Sequence, residues 1–169
     1  MLNAFCENIS KTQFQLNNAE VEVYAKELLN LALSEDIIVE KSCFKELDHN
    51  KLDVEFEILL CDNDKIRKIN KEYRKIDEPT DVITFALFAD SEHKFINNLT
   101  ISLGQIIISL EKSKEQACEN NVTEIDEFMN LLAHGVLHLI GIDHPDNKNL
   151  TFMLELQQVM IERIKNVKI

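Results

Sequence analysis

Apolar residues at Val21, Ala25, Leu28, Leu29, Ala32 and Leu33 recur three and four apart, which predicts a helix over about 18–34 with Asn17 or Asn18 as its cap. The stretch LDVEFEILL (52–60) alternates apolar and polar positions and then turns wholly apolar, the pattern of a strand whose far end is more deeply buried. Ile66, Ile69, Tyr73 and Ile76 mark a second helix with its basic residues on the other faces, ending before Pro79. DVITFALF (81–88) and LTISLGQIIISL (99–110) are β-branched apolar runs and predict two further strands, joined by the polar connection ADSEHKFINN. From Leu110 to about Asn120 the pattern becomes helical and charged. Asn121-Val122-Thr123 opens another helix, with Thr123 and Asp126 spaced like a capping box. Its apolar stripe runs through Ile125, Phe128, Met129, Leu132, Val136 and Leu139 to Gly141, a left-handed stop. A last amphipathic helix covers about 147–166. Strands and helices mix without regular alternation, so the fold class is α+β and not a doubly wound sheet.

The 169 residues suit one domain, taken as 1–169, and 45% hydrophobic with 28% charged residues is the make-up of a globular protein with a real core. Three Gly and two Pro leave little material for long linkers. The sequence has no apolar stretch long enough to span a membrane, and MLNAFCENISKTQFQ lacks the basic-then-apolar order of a signal peptide. Cys6, Cys43, Cys61 and Cys118 are scattered and read as reduced thiols, which places the chain in the cytoplasm.

A net charge of −12 argues against broad nucleic-acid binding, because neutralising phosphates takes Lys and Arg. One segment departs from that balance: DKIRKINKEYRK (64–75) carries six basic residues against Asp64 and Glu72, a local net of +4. Such a run is commonly a solvated helix face. It matters if a nearby site takes an anion.

Three of the five histidines fall within HGVLHLIGIDH (134–144). His134 and His138 are four apart on a predicted helix and so project from one face. Gly141 reverses the chain, and the IDH segment returns His144 against that face. Three convergent imidazoles leave a fourth position open, which is the arrangement of a catalytic zinc site. A metal with an open position lowers the pKa of its water to about 7 and polarises phosphoryl or carbonyl oxygens. The spacing also matches the metzincin pattern, glycine included, except that Gly135 stands where those proteases keep a glutamate base, so a peptidase of that kind is disfavoured. The site must then draw positive charge from elsewhere, and the basic helix 64–75 is its one concentrated source. His49 and His93 lie in polar surroundings and read as ordinary loop residues.

HGVLHLIGIDH resembles the histidine signature of the YbeY family, bacterial rRNA maturation factors and single-strand-specific endoribonucleases. INKEYRKIDEPTDVITFALF (69–88) resembles that family's N-x-x-Y-R-x-x-D-x-P-T-D-V block, and LGQIIIS (103–109) its third signature. The similarity runs from about Leu52 to Met160. It implies a small mixed sheet surrounded by helices, and one zinc held by His134, His138 and His144 on a helix and the turn after it. Arg74 matches the family's arginine facing the metal, where a guanidinium fork suits a phosphate. Two departures stand out: Gln105 replaces a common Asp, and Thr84-Phe85-Ala86 replaces S-F-P, a change expected to touch the backbone more than the chemistry.

The sequence is therefore read as a zinc-dependent endoribonuclease acting on single-stranded RNA, in 16S rRNA 3′-end maturation and ribosome quality control, with rRNA and ribosomal particles as partners and no membrane association. Lys68, Lys71 and Lys75 are candidate strand contacts, and Asp143 either orients an imidazole or serves an ordinary turn. Two rivals remain: a ribosome-assembly factor whose metal is structural, and a zinc hydrolase of another substrate.

Overall fold

In the computed structural model, which describes residues 1–48, 51–91, 100–144 and 146–165, four strands and six helices are found among the described residues. His49, His93 and most of the 89–98 connection lie outside them. In chain order the elements are β1 (Leu2–Asn8), α1 (Asn18–Leu33), α2 (Asp36–Lys41), β2 (Asp53–Cys61), α3 (Asn63–Arg74), β3 (Val82–Phe85), β4 (Thr100–Ser109), α4 (Leu110–Asn120), α5 (Glu124–Leu139) and α6 (Asn147–Ile164). The strands form one sheet in the order β1-β2-β4-β3, with β1, β2 and β4 parallel and β3 antiparallel to β4. The expected α+β fold with a small mixed sheet is what the chain adopts.

Side-chain alternation assigns the two sheet faces. Val54, Phe56, Ile58 and Leu60 of β2, with Ile101, Leu103, Ile106 and Ile108 of β4, join the main core with α1, α5 and α6. On the other face Cys61, Ile83 and Ile107 pack beneath Ile66 of α3, with Ile69 and Phe85 beside them. A parallel strand covered on both sides has no polar face to show, which explains why QIIISL reads as an unbroken apolar run. Towards β1 the second face is open: Phe5 is 55% exposed there, and Glu57 is exposed as well.

Local signals place the helix ends. The Asn17 side chain accepts from Glu20 N–H while the Glu20 carboxylate accepts from Asn17 N–H, a reciprocal capping box. Thr123 caps α5 by accepting from Asp126 N–H at 3.0 Å. α3 ends at Arg74, with Lys75 left-handed, so Ile76 lies past the helix and is exposed, not on its apolar stripe.

β1 and α2 had no counterpart in the pattern, and β3 is four residues long where a strand over 81–88 was expected. The ladder of β3 on β4 runs from Val82–Ile108 to Phe85–Gln105 and stops at an irregularity in β4. There Leu103 and Gly104 together oppose Phe56, because Glu55 pairs with Ser102 and Glu57 with Gln105. A bulge of this kind bends the strand and ends regular pairing. All four cysteines are free thiols, and among the described residues no helix is long and apolar enough to cross a membrane.

Candidate metal centre

α5 carries the first two histidines. One side of this helix is buried against the sheet, while His134 and His138, four residues apart, stand half-buried at its rim near the C-terminal end. Gly141 then takes φ 86°, a left-handed conformation that costs glycine nothing, and the chain reverses. Cys43 N–H donates to Ile140 O at 2.8 Å and Ile142 N–H to Leu137 O at 3.0 Å, which holds the turn against the body of the protein. Ile142 is buried as an anchor, and two residues later His144 joins the other histidines. His134 Nε2 and His138 Nε2 are 3.1 Å apart, and ring centroids in the trio lie 4.6–5.3 Å from one another. One ligand nitrogen from each of the three falls within 4.8 Å of the others.

Gly135, the position that denies the chain a metzincin-like glutamate, has a steric reason to be glycine. It faces the sheet, and a Cβ there would stand 2.7 Å from Ile106 Cγ2, a fully buried atom group. Gly135→Ala is expected to lower stability by about 1–3 kcal/mol through overpacking, measured by denaturant unfolding. An unchanged midpoint would mean that Ile106 yields freely.

The histidines form one wall of a cavity of about 430 Å³. Val82, Thr84 and Ala86 form another; Val82 and Thr84 share one side of β3 and Ala86 lies just past its end, while Ile83 and Phe85 turn to the α3 side. Arg74, in the last turn of α3, lines the same cavity, as do Asp90 and Asp143. Its guanidinium has no hydrogen bond or ion pair among the described residues. Burial holds His138 well below the usual imidazole range, at about 4, with its two histidine neighbours and Arg74 acting in the same direction and Asp143 against it. Burial lowers His134 too, His144 adding to the effect and Gln157 opposing it. Imidazoles held neutral in this way keep their lone pairs, so the donor set fits a divalent metal of the zinc type. Asp143 Oδ1 is 3.7 Å from His138 Nδ1, beyond hydrogen-bond distance, and accepts His144 N–H at 2.8 Å.

The candidate lysines are not brought into this cavity. Lys71 pairs with Asp77 at 2.6 Å, alongside Arg67 on the same carboxylate at 2.9 Å. Lys75 Nζ donates to Glu72 O at 2.8 Å, and Lys68 is exposed. Two of the six basic residues of that segment, Arg67 and Lys71, are thus paired with Asp77, while Arg74 lines the cavity with the histidines. Gln105 lies elsewhere, on the open side of the sheet, where its Nε2 donates to Glu57 Oε2 at 2.9 Å. An Asp at 105 would face the Glu57 carboxylate across the ladder, whereas Gln supplies a donor.

Several residues of the site went unread in the sequence. Thr84 and Ala86, taken as a backbone matter, line the cavity, and Thr84 Oγ1 is buried without a hydrogen-bond partner. The period-two spacing of Val82, Thr84 and Ala86 was the available signal. Asn70, buried on α3, donates from Nδ2 to Glu78 O at 2.8 Å and ties the loop after Arg74 back to the helix. Asp81 accepts from Val82 N–H, Thr80 Oγ1 and Gln116 Nε2. Burial pushes its carboxyl up, but these bonds outweigh it and leave the pKa below the ordinary value.

The profile of the family described as Endoribonuclease YbeY matches residues 7–165. A protein of Sulfurihydrogenibium sp. named Endoribonuclease YbeY is 39% identical over 156 residues, covering 92% of this chain and 96% of the relative. A protein of the same name from Acetivibrio thermocellus is 38% identical over 137 residues, with 75% and 85% covered. Among solved structures, a solution structure from Thermotoga maritima superposes with a TM-score of 0.55 at 26% identity, over 96% of this chain and 87% of that one.

Proposed function

The chain belongs to the Endoribonuclease YbeY family, and from that membership and the geometry of the site we propose that it is a zinc-dependent endoribonuclease specific for single-stranded RNA. Its place is the maturation of the 3′ end of 16S rRNA and the quality control of ribosomes, in the cytoplasm, with rRNA and ribosomal particles as its partners and the whole of 1–169 as one domain. The observation that carries this reading is the trio of imidazole nitrogens within 4.8 Å of one another, sharing one cavity with a guanidinium that has no partner among the described residues.

His134, His138 and His144 would hold the zinc. Once bound, zinc supplies Lewis acidity towards a phosphoryl oxygen and brings the pKa of water towards 7. The chain's own groups do the rest. Arg74 offers a planar fork of N–H donors to the phosphate and a charge that strengthens its hold as negative charge builds in the transition state. Asp143 accepts the backbone N–H of His144, fixing the turn that presents this histidine. Lys68, exposed on α3, would touch the strand further out, whereas Lys71 and Lys75 must first leave Asp77 and the Glu72 carbonyl.

Preference for single strands follows from backbone freedom. An unpaired strand can turn its phosphate into a recessed cavity, whereas an A-form duplex holds its phosphates in a fixed array. Purified protein of defined metal content, given one sequence as single strand and as perfect duplex, is expected to cut the first and leave the second intact over the same interval. Equal cutting of both contradicts the proposal. Chelation separates the assembly-factor reading: a nuclease loses cleavage while its helical circular dichroism persists, whereas a structural metal takes the fold with it.

A further inference from the structure

His134 borders two cavities. On one side it faces His138 and the site above; on the other it borders a polar cavity of about 390 Å³ between α5 and α6, shared with Asn120, Glu127, Asn130 and Gln157. With Nε2 turned to His138, Nδ1 is the ring nitrogen left for the α6 side. Gln157 stands there, 8% exposed. Its Nε2 donates to Asn130 Oδ1 at 3.4 Å, which sets the orientation of the amide, and its Oε1 is buried with no hydrogen-bond partner. Asn130 and His134 are four apart on α5, so the amide and the imidazole lie over the same stripe of that helix.

A buried carbonyl oxygen without a donor, bordering the same cavity as a half-buried imidazole with an unassigned nitrogen, is half of a hydrogen bond. We propose that Gln157 is a positioning residue for the metal centre, its Oε1 accepting the Nδ1–H of His134. This rests on the metal reading given above. The bond selects the tautomer with its proton on Nδ1 and a free lone pair on Nε2, the atom facing the other histidines. The flipped amide would do the opposite: an NH₂ donating to Nδ1 would put the ring proton on Nε2, where it blocks coordination, and Asn130 Oδ1 would lose its donor.

Two substitutions separate positioning from packing. Gln157→Leu keeps the volume and helix propensity but removes the acceptor; Gln157→Glu keeps an acceptor and adds charge. Zinc affinity, read by competition with a chromogenic chelator, is expected to fall about 10–100-fold in Gln157→Leu and to hold or tighten in Gln157→Glu. Thermal unfolding of the metal-free proteins supplies the packing control. An unchanged zinc affinity in folded Gln157→Leu overturns the proposal, even if its melting temperature falls. Long-range ¹H–¹⁵N spectra of the zinc-loaded wild type give a second test independent of any substitution: His134 should carry its proton on Nδ1, and a proton on Nε2 overturns the assignment. A wild-type chain with no measurable zinc affinity overturns the metal reading together with this one.

Discussion

Cleavage of single-stranded RNA by an Arg74→Ala protein is expected to be about 10²–10³-fold slower than wild type, the usual cost of removing one preorganised electrostatic contact to a developing charge. Zinc content should be unchanged, since Arg74 belongs to α3 and the ligands to α5 and the turn after it. Removing a positive charge from beside His138 can only ease cation binding there. Arg74→Lys should recover part of the rate, because an ammonium keeps the charge and loses the fork. Stability should change little in either variant, as the side chain is exposed and has no ion pair or hydrogen bond among the described residues. Lys75→Ala serves as the control: among the described residues that side chain bonds the Glu72 carbonyl and does not line the cavity, so its loss should alter salt dependence more than turnover. Near-normal cleavage by a zinc-replete Arg74→Ala protein would remove Arg74 from the mechanism.

The larger effect is expected at the histidines. Wild type should bind about one zinc per chain, and His134→Ala, His138→Ala and His144→Ala should each lose it and cleave at background, because three protein ligands are the minimum for a tight open site. The three rings stand outside the hydrophobic core, so truncating one leaves no large void and the variants should fold. Circular dichroism and denaturant midpoints check the fold, and elemental analysis checks the metal. A full zinc complement in His138→Ala sinks the ligand set. Retained cleavage in a zinc-free variant sinks the chemistry while sparing the site.

What the sequence disclosed was set by how local each signal is. α4 and α5 fall where the pattern put them because caps and periodicity lie within one or two turns of chain; Thr123 and Gly141 mark α5 from either end. The histidine trio was legible for the same reason, since a helix and one turn bring all three together. β1 was not. Its inward positions, Leu2, Ala4 and Cys6, are small or only partly covered, and Phe5, its largest side chain, points into the open, so its alternation is faint. The length of β3 was hidden because a bulge in another strand ends it. The fate of Lys71 was hidden by Asp77, six residues on and past the helix end, which no helical spacing could pair with it. Gln157 reaches His134 from another helix, and nothing in one sequence marks that contact.

The strand order carries a consequence for how such a protein is made. β4 is the last of the four strands to be synthesised, yet it lies between β2 and β3. Until residues 100–109 have left the ribosome, the paired β1 and β2 share no ladder with β3, and the cavity wall it supplies has no fixed place. The imidazoles come later still, the third at residue 144 of 169. Translation therefore withholds the complete trio of imidazoles until residue 144 is out, and a product abandoned earlier lacks the third of them.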